Sequence, residues 1–134
     1  HQAVVADAGS VSVWGSGRPR REFMHVDDMA AASIHLLELS ADRYWSVASE
    51  RCSHVNVGTG KDISIAELTS IIAAVSGFSG TIEFDATMPD GTPRKLLDVS
   101  RLRELGWEAS IELQDGIRQT YEWMTAHWPE ITAD

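Results

Sequence analysis

The chain reads as a mixed α/β or α+β domain, on three features of its sequence. Short apolar runs with strand-like alternation recur, as in Val11-Ser12-Val13-Trp14 and Thr81-Ile82-Glu83-Phe84. Between them lie longer stretches with helical spacing, opened by Ser or Asp and closed by Gly or Pro. Strands and helices therefore alternate along the chain, the pattern of an α/β or α+β architecture. The 134 residues make one domain, residues 1–134, or a piece of a larger protein. A hydrophobic content of 43% is enough for a core and excludes a disordered chain.

The first ten residues are alanine-rich and end in a loop at Asp7-Ala8-Gly9-Ser10. Val11–Trp14 is the first strand, broken by Gly15 and Gly17 and followed by Pro19, which stiffens the loop. A second apolar run, Phe23-Met24-His25-Val26, predicts a second strand, and Asp27 or Asp28 caps a helix running to about Ser40. Met29, Ser33, Leu36 and Leu37 share one face of that helix. Ala41–Ser53 is a link whose Tyr44 and Trp45 form a satellite core. His54–Gly60 predicts a short buried strand ending in a glycine turn. Ser64 and Glu67 form a capping box for a helix that buries Ile65, Leu68, Ile71, Ile72 and Val75 and stops at Gly77. Thr81–Phe84 is a strand, and Asp85–Lys95 a loop turning at Pro89-Asp90-Gly91. Ser100 caps a brief helix ended by Gly106, and Trp107 packs inward. A last helix from about Ser110 carries Leu113, Ile117, Tyr121, Met124 and Trp128 on one stripe and ends at Pro129.

The net charge of −9 argues against a nucleic-acid partner, because phosphate backbones attract positive surface. No apolar run approaches the ~20 residues of a membrane span, and no signal peptide is expected. Cys52 is the one cysteine, which rules out an internal disulfide and fits a reducing cytoplasm. Cations gather in two loops of this acidic chain. Arg18, Arg20 and Arg21 lie in G-S-G-R-P-R-R, and Arg94 and Lys95 in D-G-T-P-R-K. Arginines in short glycine-bearing loops fork onto phosphate oxygens, so the two clusters point to one small, multiply charged anion. Two unrelated solvated loops have the same spacing.

Other chemistries find little support. Gly15-Ser16-Gly17 opens like a dinucleotide fingerprint, but Arg20 stands where G-x-G-x-x-G needs its third glycine. The five histidines are scattered, without metal-ligand spacing, and His25, His35 and His54 read as satisfied core residues. Asp27 and Asp28 fit either paired carboxylates or a helix start, and the helix start explains both. No Tyr-x-x-x-Lys pair occurs. From its residues alone the chain is an anion-binding domain.

Two motifs add more. Trp14-Gly-Ser-Gly, continued by Arg21-Glu-Phe-Met-His-Val-Asp-Asp28, and Pro89-Asp-Gly-Thr-Pro-Arg-Lys-Leu-Leu-Asp98 make the chain resemble the GDP-L-fucose synthases of the extended short-chain dehydrogenase/reductase superfamily. Asn56-Val-Gly-Thr-Gly60 and Leu105-Gly-Trp107 also match. The resemblance implies the C-terminal, substrate-binding portion of an NADP-dependent 3,5-epimerase/reductase acting on GDP-4-keto-6-deoxy-D-mannose. It implies that the Rossmann half, the catalytic residues and the NADP site lie upstream of His1, so this chain alone is expected to be inactive. It implies substrate-binding roles for Trp14, Arg21, Asp90 and Lys95, with Arg21 on the diphosphate of the GDP-sugar. Arg18 and Arg20 are expected to be field-setting surface charges. The full-length protein is expected to be a homodimer, and this portion to expose apolar surface that the other half covers. A nucleotide-sugar epimerase or dehydratase of other specificity, or a non-catalytic nucleotide-sugar module, shares much of the pattern.

Overall fold

The computed structural model describes residues 1–128. A one-turn helix α1 (Gln2–Val5) leads into strand β1 (Ser10–Trp14), followed by β2 (Arg20–Glu22) and helix α2 (Val26–Glu38). A short helix α3 (Ala41–Trp45), strand β3 (Asp62–Ser64) and helix α4 (Ile65–Ser76) come next. Strands β4 (Thr81–Asp85) and β5 (Arg94–Lys95) precede helices α5 (Ser100–Glu104) and α6 (Leu113–Ala126). Pro129, expected to end the last helix, lies outside the described residues. No helix among the described residues is long and apolar enough to cross a membrane.

Two small sheets organise the chain. β1 and β4 pair in parallel from Ser10–Thr81 to Trp14–Asp85. β2 is the centre of the other sheet, antiparallel to β3 and parallel to β5. The sheets share the loop from Gly15 to Pro19, which leaves β1 and enters β2. That loop is fastened to α4, whose first amides, Ile65 and Ala66, donate to the carbonyls of Pro19 and Gly17 at 3.0 and 2.9 Å. The start of α4 is thus satisfied by protein carbonyls.

Several expectations need correcting. The second strand is the charged Arg20-Arg21-Glu22, not Phe23–Val26, because pairing with β3 and β5 selects it. His54–Gly60 is no strand; the paired segment falls just beyond, at β3. His25, rather than either aspartate, caps α2, its ring Nδ1 accepting from the Asp27 amide at 3.3 Å. Asp28 is instead buried and reaches across to the start of the last helix. Val99 precedes α5 as its cap, with no side-chain bond. The link after Ser40 contains α3.

The innermost apolar residues are Ala32 of α2 with Val99, Leu102 and Leu105 around α5. α4 packs against α6, yet none of its side chains is fully buried, contrary to the expectation for its apolar face. Leu68 and Ile72 instead line an apolar cleft of about 390 Å³ together with Ile117, Tyr121 and Met124 of α6. Val26, Leu37 and Trp123 are exposed.

The capping box of α4 is complete. Ser64 Oγ accepts from the Glu67 amide at 3.1 Å, and Glu67 Oε2 accepts from the Ser64 amide at 2.9 Å. The Ser64 hydroxyl and amide hold the Glu67 carboxyl below its ordinary range. Gly77 ends the helix at φ 74°, the left-handed conformation that glycine adopts without strain. Ser64→Ala is expected to lower stability by about 1 kcal/mol, read as a shifted urea midpoint with unchanged slope.

Candidate functional site

β1 and β4 run in the same direction, so the loops that follow them emerge at the same end. This is the crevice beyond the carboxyl ends of parallel strands, where α/β sheets hold ligands. Trp14, the last residue of β1, is 73% exposed there. Gly15 turns the chain at φ 85° while its amide donates to the Asp85 carbonyl at 2.9 Å.

Asp90 ties the two loops together. Its Oδ1 accepts from the Ser16 amide at 2.5 Å and its Oδ2 from the Ser16 hydroxyl at 2.7 Å. Those two bonds, hydroxyl first, hold the carboxyl below its ordinary range, and Arg18 adds to the effect. A Cβ on Gly15 would fall 2.6 Å from Asp90 Oδ1, so the close approach needs glycine. Glycine is needed at Gly17 as well. It has φ 74°, and a Cβ there would meet the Phe84 ring at 2.6 Å.

The pleat of β2 sorts its arginines. Arg20 pairs in register with Ser64 and Arg94, and Arg21 with Ile63 and Lys95. Successive side chains on a strand point to opposite faces, and register partners share a face. Arg20 and Arg94 therefore lie together, and both bond Asp62. Arg20 Nε donates to Asp62 Oδ1 at 2.9 Å, and Arg94 Nε donates to Oδ2. The Arg20 and Arg94 bonds hold the Asp62 carboxyl below its ordinary range, while the bond to Asp62 raises Arg20. Arg20, expected to be a field-setting surface charge, thus has a fixed carboxylate partner.

Arg21 and Lys95 occupy the other face. Among the described residues neither makes an ion pair; Arg21 Nη1 donates to the Arg20 carbonyl at 2.7 Å. The Arg21 guanidinium reaches the turn after Asp90, with Nη2 3.8 Å from where a Cβ on Gly91 would stand. Like charges directly opposite on a sheet destabilise it. Here they persist side by side in a chain of net charge −9. The pair can accept a doubly charged oxyanion at no cost of breaking an internal salt bridge.

The register thus brings Arg21 beside Lys95, and the Ser16–Asp90 clasp brings Trp14's loop beside the turn that Arg21 reaches. Asp90 spends both oxygens on Ser16. Ser16 and Asp62 were not anticipated, and the only sequence signal for Asp62 was a carboxylate beside the predicted capping box. Elsewhere, Cys52 Sγ accepts from Arg101 Nη1 at 3.0 Å, and the His35 ring lies 3.1 Å from the Leu105 carbonyl. Among the described residues no group of three His, Cys, Asp or Glu side chains is placed to hold a metal.

The chain is similar to several known proteins. Residues 2–58 match the NAD dependent epimerase/dehydratase family. The GDP-L-fucose synthase of Escherichia coli is 54% identical over 123 residues, 92% of this chain and 38% of that enzyme. GDP-L-fucose synthase 1 of Arabidopsis thaliana is 48% identical over 92% of this chain and 35% of its own length. A GDP-D-glycero-L-gluco-heptose synthase of Campylobacter jejuni, solved in the presence of NADPH, superposes with a TM-score of 0.76. It is 39% identical, over 87% of this chain and 33% of that one. The chain therefore spans little more than a third of the length of the curated relatives it matches.

Proposed function

We propose that this chain, a homologue of the GDP-L-fucose synthases, holds the GDP-sugar in an enzyme of that kind. In this reading it is the C-terminal, substrate-binding portion. Arg21 and Lys95 take the diphosphate, and Trp14 lines the site beside the sugar. Asp90 contributes by holding the loops of the site together. The observation that carries the reading is the adjacent, unpaired Arg21 and Lys95 on one sheet face. A guanidinium offers two parallel donors to phosphate oxygens, and the lysine ammonium adds a point charge.

The reaction of the whole enzyme is then the conversion of GDP-4-keto-6-deoxy-D-mannose to GDP-L-fucose, by 3,5-epimerisation and NADPH-dependent reduction. The residues described here do not fit the cofactor. Gly15 and Gly17 have positive φ, but the chain runs on through Pro19 into strand β2, where a dinucleotide cradle would open a helix. NADP, the proton-transfer groups and the epimerisation residues therefore belong to the rest of the enzyme. This chain's part is to fix the remote diphosphate so that the sugar ring is presented in one orientation, which is how binding energy away from the reacting carbons raises rate. We place the enzyme in the cytoplasm as a homodimer, with the single Cys52 fitting a reducing compartment.

Calorimetric titration of the full-length protein with GDP, UDP and dTDP tests the assignment. GDP is expected to bind tightest, and tighter binding of UDP rejects it. The Campylobacter relative supports a second reading, a synthase acting on another GDP-sugar. Product analysis with GDP-4-keto-6-deoxy-D-mannose separates the two.

A further inference from the structure

The turn Gly58-Thr59-Gly60 closes around one carboxylate. Glu22 Oε1 accepts from the Gly60 amide at 2.6 Å and from the Thr59 hydroxyl at 3.2 Å. Its Oε2 accepts from the Leu97 amide at 3.0 Å. Glu22 directly follows Arg21 in β2, and Leu97 lies two residues beyond Lys95. One side chain thus joins the strand carrying Arg21 to the segment carrying Lys95 and fastens both to the turn. The approach depends on Gly58, where a Cβ would stand 2.6 Å from Glu22 Oε1.

A brace is needed here. β5 is only two residues long, and its two register pairs with β2, Arg20–Arg94 and Arg21–Lys95, each set cation against cation. Asp62 relieves the first pair; nothing among the described residues neutralises the second. By strand alternation Glu22 points away from the Arg21 face, so it does not touch an anion bound there.

We propose that Glu22 is a positioning residue for the anion site. Seated in the Gly58–Gly60 turn, it holds Arg21 and Lys95 at the spacing that two linked phosphates require. This rests on reading that site as the diphosphate site.

The test measures GDP and GMP affinity calorimetrically in the full-length wild type, Glu22→Gln and Gly58→Ala. Glu22→Gln turns one acceptor oxygen into a donor facing backbone amides, and Gly58→Ala displaces the carboxylate without changing charge. In both, GDP affinity is expected to fall about tenfold, the equivalent of one lost charge-assisted hydrogen bond. GMP affinity changes little, so the preference for the second phosphate collapses. Partial unfolding lowers the number of sites and leaves that preference intact, which distinguishes positioning from mere support. Glu22→Asp, which keeps the charge but draws it back, serves if either variant fails to fold, and is expected to give a reduced preference. An undiminished GDP-over-GMP preference in the variants overturns this inference alone. A wild type indifferent to the second phosphate overturns the diphosphate reading and this inference with it.

Discussion

Asp28→Ala is expected to destabilise the protein by about 3 kcal/mol in urea titration. Asp28 is 3% exposed. Its oxygens accept from the Ser110 amide at 3.1 Å, the Ser110 hydroxyl at 3.0 Å and the Ile111 amide at 2.9 Å. These bonds attach the first turn of α2 to the segment that enters α6. Alanine removes the acceptor and leaves the Ser110 and Ile111 amides without their partner. Asp28→Asn keeps the volume and one acceptor oxygen, and is expected to cost less.

The same residue predicts a pH dependence. Burial pushes the Asp28 carboxyl up, but the bonds from Ile111 and Ser110, with the nearby His25, outweigh it and leave it below its ordinary value. A carboxyl whose folded-state pKa is depressed stabilises fully above its unfolded value, about 3.9. That stabilisation disappears as pH falls through the folded value. The wild type is therefore expected to lose stability below about pH 4, and Asp28→Ala to lose less of it over the same range. Parallel curves for the two proteins would assign the acid response to the other carboxyls held low, Asp62, Glu67, Asp85, Asp90 and Asp98.

Arg21→Met is expected to weaken GDP binding by roughly 10- to 100-fold in the full-length protein, the value of a bidentate charge-assisted contact with phosphate. The fold should not suffer. Removing one of two like charges held opposite each other is worth up to about 1 kcal/mol in the stabilising direction. Lys95→Met is expected to weaken GDP less, because an ammonium lacks the planar fork. If the two side chains grip the same diphosphate, the double variant loses less affinity than the sum of the single losses. Additive losses would separate their ligands. Affinity lost in step with folded protein would make Arg21 part of the scaffold.

Much of this was legible in the sequence where the determinants are local. β1 and β4 showed as alternating apolar runs, and α4 as Ser64, Glu67 and Gly77 at fixed spacing. β2 was misplaced because its residues are charged and its partners, β3 and β5, lie some 40 and 70 positions away. Phe23-Met24-His25 alternates like a strand but forms the entry to a helix. Asp28 looked like a cap because its bonding partners stand 82 and 83 residues further on. The cation clusters were visible as a departure from an acidic composition. Which cations pair internally and which stay unpaired was not visible, because that depends on the register of three strands.

The division of labour within Arg20-Arg21-Glu22 has a consequence for how such a strand changes over generations. Neighbouring positions carry the same guanidinium, but a one-residue shift of the strand would put Pro19 or Glu22 into one of the two cation positions, so only one of Asp62 and the ligand would keep its partner. The Gly58–Gly60 turn would lose its acid as well, receiving Arg21 or Phe23 instead. In a mutational scan of this strand, substitutions that keep a base are expected to cost least at its first two positions, and Glu22→Asp to cost least at the third.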